Sequence, residues 1–272
     1  MFAVFLVSLS LFGYWFNVAF ADLPLNLPSW PLMFAPGVAS ILTRLLRREG
    51  FADVSFRFHG SRMGRALLLG LGLPLGVGVI AYGCAYLFGL AIFDPPPFPV
   101  AVEAPLAQFG VVLIFALTVG LLLSLPTSAG EEIGWRGYLL LRMIEARLPH
   151  PIVLTSLIWG AWHLPILFAG VYAVGPSRLI SATGLMVTAL AVGYVLAWLR
   201  LGTGSIWPCV FAHGAWNVII NAGFTFATRN PRENMWIGET GILVTVTLVM
   251  AALWLSRTSV AGHSEAVTSG AH

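Results

Sequence analysis

Two adjacent carboxylates, Glu131 and Glu132, stand in the run Glu131-Glu132-Ile133-Gly134-Trp135-Arg136-Gly137. If the run is helical, Glu132 and Arg136 share a face and Glu131 points about 100° away. A bidentate guanidinium can then neutralise Glu132 and hold it in place, leaving Glu131 desolvated and able to act as a base. An ordinary interfacial salt bridge with a spare glutamate is the competing reading. His163 lies more than ten residues into an apolar run, with Trp159 one turn before it to pack on the imidazole and Pro165 loosening the backbone ladder after it. A core histidine bonded to a carbonyl would have the same spacing. His213 and Asn217 are four residues apart in a further run and share a helical face, with Gly214 keeping the adjacent surface open. An imidazole and a carboxamide so placed can donate two converging hydrogen bonds to one small acceptor. Asn221, one turn on, either extends this polar stripe or serves interhelical hydrogen bonding. Two carboxylates, two histidines and an amide are the parts that water-activating hydrolysis requires. Each motif stands on a different run or its flank, as when separate helices converge on one site.

The elements that must position these groups are membrane helices. Of 272 residues, 58% are hydrophobic and 9% charged, against roughly 45–50% and 25% in a soluble domain. A soluble globule is excluded. The fourteen basic residues are all arginine and form no dense stripe, so the formal +3 charge does not point to nucleic acid as a partner. Cys84 and Cys209 stand singly inside apolar runs and read as small hydrophobes. A spanning helix takes about 20 apolar residues, and eight runs qualify, at about 2–21, 31–46, 66–93, 106–128, 150–170, 179–199, 205–226 and 236–256. The expected fold is all-α: a polytopic membrane helix bundle of about eight transmembrane helices. It forms a single integral membrane domain over 1–256, with a polar, disordered tail over 257–272. Residues 131–149 carry six charged side chains and predict an amphipathic interfacial helix, too charged to cross lipid. In the third run Gly70, Gly72, Gly76 and Gly78 around Pro74 predict a tilt or kink and close helix packing.

Arginines fix the expected orientation. Arg44, Arg47, Arg48, Arg57, Arg62, Arg65, Arg136, Arg142, Arg147, Arg200 and Arg257 fall on one side, eleven against Arg178, Arg229 and Arg232 on the other. The positive-inside rule then puts both termini in the cytoplasm and the proline-rich connector 94–105 outside. His59, His150, His263 and His272 lie in loops or the tail and receive no role. Glu131, His163 and His213 do demand one, because a buried ionisable group costs about 2.5–3.5 kcal/mol or more within a membrane.

At these residues the chain resembles the CAAX protease and bacteriocin-processing family of intramembrane proteases, the group of the Ras-converting type II CAAX endopeptidase. The family's Glu-Glu-x-x-x-Arg corresponds to Glu131-Glu132 and Arg136 and its His-x-x-x-Asn to His213 and Asn217. Its aromatic-x-x-x-His corresponds to Trp159 and His163, with Trp in place of the usual Phe, a change expected to bear on packing and not on chemistry. Order, spacing and apolar context agree over about 105–225, and Phe34-Ala35-Pro36-Gly37-Val38-Ala39 resembles a weaker family feature near the second span.

The resemblance implies an eight-helix bundle around a cytoplasm-accessible cavity, in a multi-pass protein of a bacterial inner (plasma) membrane. It implies hydrolysis of membrane-embedded peptide or lipidated protein substrates. Glu131 would be the general base sharing a water with His163, His213 and Asn217 the oxyanion hole, and Glu132 and Arg136 its supports. A metal-free glutamic mechanism is expected. A metalloprotease with zinc on Glu131, His163 and His213 is the alternative, although no His-Glu-x-x-His puts two histidines on one helix. A proton-coupled transporter would also bury Glu and His, but neither an internal repeat nor paired broken helices accompany them. A catalytically silent scaffold or immunity protein is the third reading; loss of Glu131 or His163 would have supported it, and both are present.

Overall fold

The computed structural model describes residues 1–258 except Asp22, His59, Ser61, Val174, Arg232 and Glu233, with backbone alone at 24–26 and 258. From residue 259 the expected tail lies outside the described residues, as do His59, His263 and His272. Each of the eight apolar runs carries a helix, the form in which a backbone in hydrocarbon satisfies its own N–H and C=O groups. These are α1 (Phe2–Ala19), α2 (Trp30–Arg47), α3 (Met63–Leu87), α4 (Pro105–Glu145), α5 (Pro151–Phe168), α6 (Arg178–Thr203), α7 and α8 (Ile242–Thr258). Helix α7 is α-helical over Trp207–Trp216 and runs on as a π-helix over Asn217–Thr225. Helices α1, α3, α4, α5 and α6 are long and apolar enough to cross a membrane. No strand forms among the described residues; an isolated bridge joins Phe93 to Thr228.

The interfacial helix expected over 131–149 is not a separate element. Its residues continue α4, whose 41 residues extend to about 60 Å at 1.5 Å per residue, interrupted by π turns at Ala116–Gly120 and Trp135–Leu139. The two halves of α4 invert the usual pattern. Leu106, Ile114 and Leu122 are exposed, as suits a lipid-facing surface, whereas Glu131, Glu132 and Arg136 are no more than 1% exposed. Charge count predicts an interfacial helix only if the charges seek water, and here they find partners inside the protein.

Helix α2 brings this about by pressing backbone to backbone on α4. A Cβ at Gly37 would lie 2.4 Å from the Gly130 carbonyl oxygen, and one at Gly134 would lie 2.4 Å from the Pro36 carbonyl carbon. Only glycine permits such an approach, so the Phe34–Ala39 feature is the crossing that shields the Glu131-Glu132 turn. In α3, Gly70 and Gly78 pack on Ala212 and Phe224 of α7 as expected, while Gly72 and Gly76 face open space. Polar anchors fix the remaining neighbours. The Trp162 indole donates to Ser10 Oγ at 2.8 Å and Tyr14 Oη donates to the Trp162 carbonyl at 2.7 Å, pinning α1 to α5. At the arginine-rich end, Arg44 is fully buried and bonds the Asp53 carboxylate and the Gly137 carbonyl. Arg142 of α4 bonds the same carboxylate and Arg200 of α6 the Asp53 carbonyl.

Candidate active site

Glu131, Trp159, His163, His213 and Asn217 line one cavity of about 370 Å³, supplied by α4, α5 and α7. Glu132 and Arg136 sit behind its wall. The cavity is completed by Asn17 near the end of α1, Trp30 and Met33 at the start of α2, and Tyr172 and Glu239 from the connectors after α5 and α7. It therefore lies toward the end of the bundle opposite Arg44, Arg142 and Arg200.

The two carboxylates are held in different ways. Glu132 Oε1 accepts both Arg136 Nη1 at 2.9 Å and His213 Nδ1 at 2.8 Å, while Oε2 has no partner among the described residues. The expected bidentate pair is thus replaced by one oxygen shared between a guanidinium and an imidazole, because α7 brings His213 into the second hydrogen-bonding direction. The His213 proton on Nδ1 points at Glu132, which leaves Nε2 for the cavity. Glu131 accepts the Trp159 indole N–H on Oε2 at 2.7 Å, and its other oxygen takes no such partner among the described residues. The same indole ring carries the Arg136 guanidinium 4.6 Å over its face. Trp159 consequently touches Glu131 and the Arg136 that holds Glu132, and the substitution of Trp for Phe adds a hydrogen bond to the Glu131 carboxylate. The sequence expectation that it affects packing alone is corrected here, since a phenyl ring has no N–H.

His163 Nδ1 lies 2.8 Å from the Trp159 carbonyl, which can only accept, so the proton sits on Nδ1 and the Nε2 lone pair is free. Its ring meets Trp159 and Trp162 edge-on, at 5.5 and 4.8 Å between centroids, and stacks on Tyr172 at 5.2 Å with 28° between planes. Asn217 opens the π-helical segment of α7 and is half-buried at the cavity wall. A π turn follows Glu131-Glu132 and another begins at Asn217; such turns re-aim the side chains beside them and recur at functional sites. Spacing rules for an α-helix give no sign of them. Tyr172 is equally hidden, a lone residue in a connector without periodicity; Glu239 falls inside the eighth apolar run, where a carboxylate is itself a signal, and the structure places it in the connector before α8.

Among the described residues no three His, Cys, Asp or Glu side chains are gathered to hold a metal ion. Glu131, His163 and His213 share the cavity and are not gathered into a three-residue cluster among the described residues. Cys84 and Cys209 are free thiols, and Cys209 is buried with Sγ on the Leu196 carbonyl.

Residues 113–219 match the family model described as type II CAAX prenyl endopeptidase Rce1-like. The match runs from within α4 to two residues past Asn217 and includes all seven motif residues, whereas Glu239 lies beyond it. No curated protein matches the chain.

Proposed function

Because residues 113–219 match the family model described as type II CAAX prenyl endopeptidase Rce1-like, we propose that the chain is a membrane protease of that kind, hydrolysing peptide bonds of membrane-associated or lipidated peptides with water activated by Glu131 and His163. One observation carries this reading: a carboxylate oxygen of Glu131, the free Nε2 of His163, the inward Nε2 of His213 and the Asn217 amide share one cavity. A water between Glu131 and His163 donates one hydrogen bond to each acceptor. As its oxygen attacks the peptide carbonyl, Glu131 takes a proton and the carbonyl oxygen becomes an oxyanion. His213 Nε2–H and Asn217 Nδ2–H donate to that oxyanion, stabilisation worth about 2.7–4 kcal/mol per donor in other hydrolases. Glu132 supports this by accepting from His213 Nδ1, so that a doubly protonated imidazole is charge-balanced. Glu131 then returns its proton to the leaving amine as the C–N bond breaks, and the products are a carboxylate and an amine.

The substrate is drawn from the bilayer. With both termini in the cytoplasm, the orientation that the arginine asymmetry supports, the cavity opens toward the opposite face. Cytoplasmic termini and the cytoplasm-accessible cavity that the resemblance implies exclude one another, and the arginines favour the first.

The reading is tested by incubating reconstituted protein with membrane peptides from cells and following which accumulate or disappear. Glu131→Gln and His163→Ala should abolish cleavage at unchanged melting temperature. Asn217→Ala should lower kcat on the order of 10²–10³, since one oxyanion donor survives. Arg136→Ala should also lower the melting temperature, because it removes one of the two donors that the buried Glu132 Oε1 accepts. Wild-type cleavage by both Glu131→Gln and His163→Ala would hand the residues to the carrier or scaffold reading.

A further inference from the structure

His163 is held on three sides by α5 and by one residue from outside it. The Trp159 carbonyl fixes Nδ1, and Trp159 and Trp162 stand at its edges. Rotation of the ring out of the cavity wall is opposed by Tyr172, whose own ring lies nearly parallel to it. Tyr172 is in turn held by its hydroxyl, which donates to Glu239 Oε2 at 2.8 Å. Burial, together with the neighbouring Glu239 carboxylate, keeps the phenol pKa well above its ordinary value, so this hydroxyl stays a donor.

Glu239 is no incidental acceptor. Its Oε1 takes the Trp216 indole N–H at 3.1 Å and its Oε2 the Asn221 amide at 3.4 Å. Those two residues flank Asn217, one directly before it and one a turn later. The connector carrying Glu239 is itself tied down, by Thr188 Oγ1 on the Glu239 carbonyl at 3.2 Å and by the Gly238 N–H on Tyr82 Oη at 3.0 Å. One carboxylate thereby links the segment of α7 that bears Asn217 to the ring that backs His163.

We propose that Tyr172 and Glu239 are positioning residues for the reaction: through the stack on His163 and the grip on Trp216 and Asn221, they set the water-holding imidazole against the oxyanion donors. This rests on the hydrolase reading above and extends it to residues that none of the motifs contains. The chemistry needs reacting atoms within about 3–3.5 Å, and a 1 Å error in such geometry can cost about a hundredfold in rate.

The test uses the full chain in lipid bilayers with ¹⁵N-labelled histidine, the His163 signal being the one lost in His163→Ala. Wild-type protein should give a single Nδ1-protonated form. Tyr172→Leu and Glu239→Ala should give an exchanging mixture, and Tyr172→Phe, which keeps the ring and loses its bond to Glu239, a smaller share of the second form. On a quenched lipidated peptide in the same bilayers, Tyr172→Leu and Glu239→Ala should lower kcat roughly 10–100-fold with KM within about twofold, and Tyr172→Phe should lose less. An unchanged His163 signal or an unchanged kcat in Tyr172→Leu overturns the proposal, as does a loss carried by KM alone. If wild-type protein cleaves no peptide, the hydrolase reading falls, and the spectra still decide whether the pair sets the imidazole.

Discussion

A single indole separates the roles of two neighbouring carboxylates. Trp159 donates to Glu131 and lies under Arg136, while Arg136 and His213 occupy Glu132. Among the described residues Glu131 is left with one bonded oxygen and one without a partner, a geometry that directs the second oxygen's lone pair instead of letting the carboxylate rotate. Trp159→Phe removes the donor and keeps an aromatic ring. A hydrogen bond to a charged acceptor is worth about 1.5–3 kcal/mol, and not all of it acts on the transition state. The expected outcome is a kcat lowered about tenfold with KM little changed, read in steady-state cleavage of one peptide by both proteins. A Phe variant as fast as wild type would make the indole N–H irrelevant to the base. The residue types at the site were legible because i, i+4 spacing is a local rule: Glu132 with Arg136, Trp159 with His163, His213 with Asn217. The Trp159 bond was not, since it joins residues 28 apart on different helices.

Among the elements, α4 shows where composition misleads. By composition the charged stretch 131–149 reads as interfacial, yet α2 covers its first turn through the Gly37–Gly130 approach and α7 supplies a histidine to its carboxylate. Number and approximate limits of the helices follow from apolar run length, which hydrocarbon imposes on each helix separately. Burial of the acidic turn depends on contacts between helices and is invisible in one run. The same is true of the staple at Asp53, which joins α2, α4 and α6 through Arg44, Arg142 and Arg200. Burial alone would raise the Asp53 carboxyl, but hydrogen bonding and charge from Arg44, with the charge of Arg142, outweigh it and hold the pKa below the ordinary carboxylate value. A group with a lowered folded pKa contributes stability that is present above its unfolded pKa, about 3.9 for Asp, and lost as pH falls through the folded value. Thermal unfolding in lipid should therefore show a melting temperature that drops below about pH 4. In Asp53→Asn the drop should shrink and the melting temperature near neutrality should be lower. Because Asp53 is one-third exposed, the effect is screened. An Asp53→Asn protein with the wild-type pH profile would remove the staple from the account.

For the whole molecule, the two ends of the bundle are chemically unlike, and under the proposed function the difference bears on how substrate arrives. One end carries Arg44, Arg47 and Arg48 at the close of α2, Arg142 and Arg147 at the close of α4 and just beyond it, and Arg200 in the last turn of α6. Arg136 leaves this group, being buried against Glu132, but the asymmetry survives its loss. The other end carries the connectors with Tyr172 and Glu239, the start of α2 and the last turns of α7, and these are the parts that line the cavity. If arginines face the cytoplasm, a peptide reaches Glu131 from the outer face or from the outer half of the bilayer. Single cysteines in a Cys84→Ala, Cys209→Ala background test this with a membrane-impermeant thiol reagent on intact cells. Pro97→Cys and Asn221→Cys, both exposed, should label directly. Ala52→Cys and Glu145→Cys, exposed at the arginine-rich end, should label only after permeabilisation. The reverse pattern would turn the bundle over, open the cavity to the cytoplasm, and leave the arginines without their usual topological meaning.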